Sequence, residues 1–158
     1  MELTQKFIRW WVDEKRPGKV VFTSSVAGLI SGFGRQAPYF ASKHALQCIA
    51  ESLPEELKPF NIQVQTINPG AFLTGFNETM AESALRWQDD TRNFIKRTDI
   101  QKFFDFLRGE AFQREPKAVI DAMVSIVPAD AGLFRNVVPK ADEEFVKTNQ
   151  KDAWENEI

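Results

Sequence analysis

Tyr39 and Lys43 stand four residues apart in YFASK, and two serines, Ser24 and Ser25, close the apolar run before them. A free phenol has a pKa of about 10 and is a poor base at neutral pH. On a helix, positions four apart share a face, so the ammonium lies beside the phenol and favours its ionised form. That makes Tyr39 a candidate to give and take the proton in carbonyl–alcohol chemistry. Ser24 or Ser25 could hydrogen-bond the same substrate oxygen. The plain alternative is a helix start with an exposed lysine. A second possible chemistry lies in GLISGFG, with glycines at 28, 32 and 34. A pyrophosphate cradle needs a helix that begins at the glycines and an acidic residue at the end of the next strand. Here Arg35, Gln36, Ala37 and Pro38 intervene, and the next strand ends in Asn68-Pro69-Gly70. The glycine stretch therefore reads as a flexible loop.

The elements that must position these residues follow from periodicity. Leu3, Phe7, Trp10 and Trp11 recur at helical spacing and predict an amphipathic helix over 3–15, stopped by Pro17-Gly18. Lys19–Thr23 is a short β-branched run and predicts a buried strand. Residues 24–37 are small and glycine-rich, hence a loop. Pro38 suits the first turn of a helix, whose apolar stripe runs Phe40, Leu46, Ile49, Leu53 and Leu57. Pro54 should kink that helix, or the helix restarts at Ser52 with Glu55 as a capping box. Ile62–Ile67 predicts a second strand, and Asn68-Pro69-Gly70 ends it sharply. Residues 76–114 predict two or three helices, 116–127 another, 136–138 a short third strand and 140–156 a charged terminal helix. Strands alternating with helices imply an α/β fold with a parallel sheet and helices on both faces.

Composition narrows the function classes. The 158 residues suit one domain over 1–158, and 43% apolar residues suffice for a core. A formal net charge of −2 offers no basic surface for nucleic acid or membrane. No apolar run approaches the roughly 18 residues of a spanning helix, and Lys6, Arg9, Asp13 and Glu14 interrupt any signal-like stretch. One cysteine, Cys48, excludes an internal disulfide and fits a reducing cytoplasm. One histidine and one cysteine leave a zinc site improbable. His44 is expected at the surface and Cys48 packed within its helix.

The order of VVFTSSVAG (20–28), YFASKHAL (39–46) and IQVQTINPGAFLT (62–74) resembles the short-chain dehydrogenase/reductase family. The resemblance implies an oxidoreductase with NAD or NADP as cofactor and a small carbonyl or alcohol substrate, with homo-oligomers as the usual assembly. It maps Ser25 to the residue that orients the carbonyl and Tyr39 to the proton carrier. Lys43 maps to the residue that lowers the tyrosine pKa and holds the nicotinamide ribose. Pro69, Gly70 and Thr74 map to the turn against the nicotinamide. The glycine stretch then falls in the substrate loop.

The resemblance begins in the middle of the fold, so what it implies is the C-terminal half of a Rossmann-like sheet flanked by helices. The family's pyrophosphate-binding glycine turn and catalytic asparagine have no counterpart in the sequence, and 1–11 resembles the later part of the asparagine-bearing helix. The expectation is a truncated chain with an unpaired strand edge at 19–23, which invites pairing with another chain. The helices at 3–15 and 38–58 match those through which family members pair. The aromatic segment 76–112 is either a lid over an apolar substrate or plain helical core. Two functions stay open: an NAD(P)-dependent oxidoreductase, or an inactive fragment that only self-associates or complements another chain.

Overall fold

Three β-branched runs pair into a parallel sheet in the order β1-β2-β3, where β1 is Gly18–Thr23, β2 is Ile62–Pro69 and β3 is Arg135–Val138. The computed structural model describes residues 1–32 and 34–155. Phe33 of the glycine stretch and the tip of the expected terminal helix lie outside the described residues. Two compact units emerge, Met1–Gly70 with Asp121–Ile158, and Ala71–Ile120.

In the sheet-bearing unit, α1 (Glu2–Asp13) precedes β1, and α2 (Ala37–Leu57) joins β1 to β2. Side chains alternate across a strand. Phe22, Ile62 and Val64 therefore share one face and pack with Ala50 and Leu57 of α2, and with Ile8, Trp11 and Val12 of α1. On the other face, the Lys19 ammonium donates to the carbonyls of Ile126 and Ala129 at 2.6 and 2.7 Å. Those carbonyls lie at and just beyond the C-terminus of α5 (Lys117–Ile126), where a cation is favoured. A second core cluster joins Val26, Leu29, Ile30 and Phe40 to Val137 of β3 and to Val146 of α6 (Asp142–Asp152). Each such side chain stabilises the fold by about 1.5–3 kcal/mol when fully buried.

Five expectations change. Only Phe22 of β1 is buried, because hydrogen bonds reach β1 from β2 alone and its other edge is unpaired among the described residues. Along α1, Leu3, Phe7 and Trp10 stay exposed; the inward face is Ile8, Trp11 and Val12. β2 does not stop at Ile67: Asn68 and Pro69 continue the ladder opposite Val137 and Val138. The α2 helix runs through Pro54 without restarting, and the Ser52 hydroxyl donates back to the Cys48 carbonyl at 3.1 Å rather than capping a new helix. Cys48 is exposed rather than packed within its helix, while His44 is exposed as expected, its ring Nδ1 bonded to the Phe40 carbonyl at 3.0 Å.

The unit Ala71–Ile120 contains α3 (Phe76–Arg86) and α4 (Arg97–Arg108). Ala81, Phe104 and Leu107 form its buried centre, with Met80, Ile100, Phe103 and Phe112 packed around them. Trp87, Phe94 and Phe106 are exposed. No described helix is long and apolar enough to cross a membrane.

Candidate active site

The end of β1 turns directly into a tight 3-10 turn over Val26–Gly28. Ser25 caps that turn, its Oγ accepting from the Ala27 N–H at 3.1 Å. This orients the Ser25 hydroxyl, which donates to the Pro69 carbonyl at 3.3 Å and is hydrogen-bonded to the Tyr39 hydroxyl. The neighbouring Ser24 points elsewhere: its Oγ is buried without a partner. Of the two serine hydroxyls, that of Ser25 is the one with hydrogen-bond partners.

Tyr39 and Lys43 share a face of α2, with the Lys43 Nζ 5.9 Å from the centre of the Tyr39 ring. The ammonium donates to the Ser24 carbonyl at 3.1 Å. Burial pushes the Tyr39 phenol above its ordinary pKa, and the Ser25 hydroxyl pulls it partly back. Burial pushes the Lys43 ammonium below its ordinary value. Each shift disfavours the charged form, as desolvation must. The lowering contact on the phenol is therefore Ser25, where spacing alone pointed to Lys43.

Among the predicted site residues, Ser25, Tyr39, Lys43 and Pro69 converge, and Gly70 follows with its N–H on the Val138 carbonyl at 2.8 Å. Thr74 belongs to the other unit, where its hydroxyl donates to the Phe72 carbonyl at 3.4 Å. No cluster of metal-ligating side chains occurs among the described residues.

The first part of the glycine stretch is packed rather than loose, while Ser31, Gly32 and Gly34 lie exposed outside any helix or strand. Residues 24–30 are buried. A Cβ on Gly28 would stand 2.8 Å from the Lys43 carbonyl oxygen and 3.0 Å from the Ser24 Oγ. Glycine is required there so that the turn can touch α2 at the level of Lys43. Gly32 lies against the Phe40 ring, and α2 begins only at Ala37. None of the described glycines of this stretch stands at the start of α2, so the stretch does not fit a pyrophosphate.

Two buried amides escaped the sequence reading. Asn68 is fully buried, and its Nδ2 donates to the Ser25 carbonyl at 3.1 Å and to the Gln47 Oε1 at 3.0 Å. Gln47 is 3% exposed and donates to Glu51 at 2.9 Å. A signal for Gln47 existed, since Tyr39, Lys43, Gln47 and Glu51 continue one spacing of four.

The short chain dehydrogenase family profile matches residues 1–84, more than half of the 158. The chain belongs to that family. Among its relatives, bovine 17-beta-hydroxysteroid dehydrogenase type 6 is 36% identical over 93 residues, which is 58% of this chain and 29% of the relative. Human retinol dehydrogenase 16 is 34% identical over 106 residues, 66% of this chain and 33% of the relative. The uncharacterized oxidoreductase YusZ of Bacillus subtilis is 44% identical over 61 residues, 39% and 21% of the two chains. A short-chain dehydrogenase structure from Streptomyces avermitilis superposes with a TM-score of 0.68 at 21% identity, covering 97% of this chain and 53% of that one. One from Burkholderia cenocepacia J2315, in complex with NADP, gives 0.61 at 15% identity, covering 96% and 52%. The short-chain dehydrogenase match thus spans about a third or less of these curated relatives and about half of these structures. At such identities the structures establish the α/β fold.

Proposed function

We propose that this chain carries the proton-transfer residues of an NAD- or NADP-dependent oxidoreductase that interconverts a carbonyl and an alcohol. The observation that carries the proposal is the meeting of the Ser25 and Tyr39 hydroxyls beside Lys43 at the end of the parallel sheet. In reduction, the Ser25 hydroxyl orients the substrate carbonyl and Tyr39 donates a proton to its oxygen; oxidation runs the same transfer backwards. A phenol held above its ordinary pKa keeps its proton at neutral pH and is ready to act as donor. Tyr39, Lys43, Pro69 and Gly70 are the residues that would hold a nicotinamide, which when bound would supply or accept the hydride. The pyrophosphate needs donors outside the glycine stretch.

An apolar substrate fits the exposed aromatic side chains of the unit Ala71–Ile120. The names of the hydroxysteroid and retinol dehydrogenases, and of a 3-ketodihydrosphingosine reductase from Bacteroides thetaiotaomicron, 36% identical over 80 residues, point the same way. The single thiol, exposed at Cys48, suits a reducing cytoplasm.

Titration of the purified chain with NADH and NADPH, followed by fluorescence or calorimetry, tests the proposal. Micromolar binding is expected, and no binding at millimolar cofactor would refute activity of this chain alone. With turnover in hand, Tyr39→Phe should abolish it and leave cofactor affinity nearly intact, while Lys43→Ala should damage both.

A second reading is a chain that only self-associates or complements another. The unpaired β1 edge and the exposed row Leu3, Phe7 and Trp10 favour it. Sedimentation at micromolar concentration decides: a monodisperse monomer would remove self-association from either reading.

A further inference from the structure

Tyr39, Lys43, Gln47 and Glu51 form one row along α2, the i, i+4 ridge of a helix surface. The first two meet the end of β1 directly. The other two reach it through a chain of buried amides. The Asn68 Nδ2 donates to the Ser25 carbonyl at 3.1 Å and the Gln47 Oε1 at 3.0 Å, while its Oδ1 accepts from the Thr66 hydroxyl at 2.8 Å. Gln47 Nε2 donates to Glu51 Oε1 at 2.9 Å, and the Arg135 guanidinium of β3 donates to the same oxygen at 2.5 Å.

This chain has a fixed direction. A carboxylate only accepts, so Glu51 forces the Gln47 amide to present its nitrogen to Glu51 and its oxygen to Asn68. Asn68 must then present its nitrogen, which is the atom that holds Ser25. Flipping Gln47 would set donor against donor at Asn68, and flipping Asn68 would set acceptor against acceptor at Ser25 and Gln47, at a cost of about 1–3 kcal/mol. Ser24 is pinned at the same time, through its own carbonyl, by Lys43. The two-serine corner is therefore clamped from both sides by side chains of one helix row.

We propose that Gln47 and Asn68 are positioning residues: they clamp the Ser25 backbone so that its hydroxyl stays on Tyr39, with the Glu51–Arg135 pair setting the direction of the clamp. The proposal deepens the oxidoreductase reading and rests on it for its meaning, but its test needs neither cofactor nor turnover. Tyr39 is the only tyrosine in the chain, so the ultraviolet absorbance of tyrosinate titrates this one residue. The Ser25 hydroxyl holds the Tyr39 midpoint down; anything that dislodges it raises the midpoint.

Ser25→Ala should raise the Tyr39 midpoint. Gln47→Met, close in length and without an amide, should raise it too while circular dichroism shows the fold intact. The double variant should rise no further than Ser25→Ala alone, because both changes remove one contact. The exchange Gln47→Glu with Glu51→Gln keeps one carboxylate and one amide in the row and should restore the wild-type midpoint. Three results would overturn the proposal: an unchanged midpoint in folded Gln47→Met, shifts that add fully in the double variant, or no shift in Ser25→Ala. Should Gln47→Met not fold, Asn68→Asp replaces it with the same expected rise; loss of fold in both would leave these residues a purely structural role. Failure of the oxidoreductase reading would appear separately, as absent NADH and NADPH binding with the tyrosine shifts intact.

Discussion

In the sheet-bearing unit, three of the buried polar side chains are linked in one chain. Thr66 and Asn68 are fully buried, Gln47 is 3% exposed, and each has a named partner. In the unit Ala71–Ile120 the buried centre is apolar, built on Ala81, Phe104 and Leu107. Its buried amides are fewer: Asn77 donates to the Leu107 carbonyl at 2.9 Å, and Gln113 to the Arg108 carbonyl at 3.0 Å and to Glu78 Oε1 at 3.1 Å. Each unit also has two buried oxygens without a partner, Ser24 Oγ and Gln65 Oε1 in the first and Glu78 Oε2 and Gln113 Oε1 in the second. The first unit uses buried polarity to fix the direction of hydroxyls, and the second uses apolar volume to hold two helices together. Directional networks tolerate few substitutions that keep the geometry, while apolar packing tolerates many. The same sequence length therefore carries much chemical information in one unit and little in the other.

The largest effect should fall on apolar volume. Phe104 is 2% exposed and Phe106, on the same helix, is 61% exposed. Phe104→Ala should cost about 3–5 kcal/mol of stability in urea unfolding followed by circular dichroism. Phe106→Ala should change it by less than about 1 kcal/mol. Similar costs at the two positions would mean that the unit does not rest on the Ala81–Phe104–Leu107 centre.

That contrast also explains what could be read from the sequence. The YFASK spacing put Tyr39 and Lys43 on one helix face and the strand end offered Ser24 or Ser25, because strand and helix are local and periodic; the choice of Ser25 came from the family resemblance. Helices at 2–13 and 117–126 and the parallel sheet were legible for the same reason. Three things were not. Which face of α1 turns inward depends on the shape of its neighbours, since Phe7 and Trp11 are equally apolar. The Asn68–Gln47 contact joins residues 21 apart across a crossover, and periodicity carries no such distance. The purpose of Gly28 depends on a close approach to Lys43 that only the folded chain contains.

Gly28 gives the second prediction, at the border between packing and direction. Gly28→Ala sets a methyl 2.8 Å from the Lys43 carbonyl oxygen, a backbone atom with little freedom to yield. Overpacking of this kind typically costs about 1–3 kcal/mol, so the unfolding midpoint should fall. The Tyr39 titration midpoint should move as well, because the turn that carries Ser25 must shift against α2. A stable variant with an unmoved Tyr39 would show that the turn and the helix are not rigidly coupled. A loss of stability alone would show that Gly28 serves packing and not the hydroxyl pair.

The smallest effect separates the units most sharply. Each unit has an arginine–carboxylate pair that is partly open to solvent: Arg135 with Glu51 in the first, Arg108 with Asp105 in the second. Their side-chain exposures are 46% and 38% in one pair, 30% and 54% in the other. Solvent and salt screen such pairs, so their worth for stability is small and similar. Arg135→Met and Arg108→Met should therefore be hard to tell apart by unfolding. They differ in what lies behind the carboxylate. Glu51 holds Gln47, and through it Asn68 and Ser25. Asp105 accepts from Gln101 at 2.8 Å on its own exposed helix face and leads no further. Arg135→Met should accordingly raise the Tyr39 midpoint by a small step, less than Gln47→Met, and Arg108→Met should leave it where it is. Equal and null responses from both variants would mean that the directional network ends at Gln47, with the Arg135–Glu51 pair as surface charge no different in kind from the pair on α4.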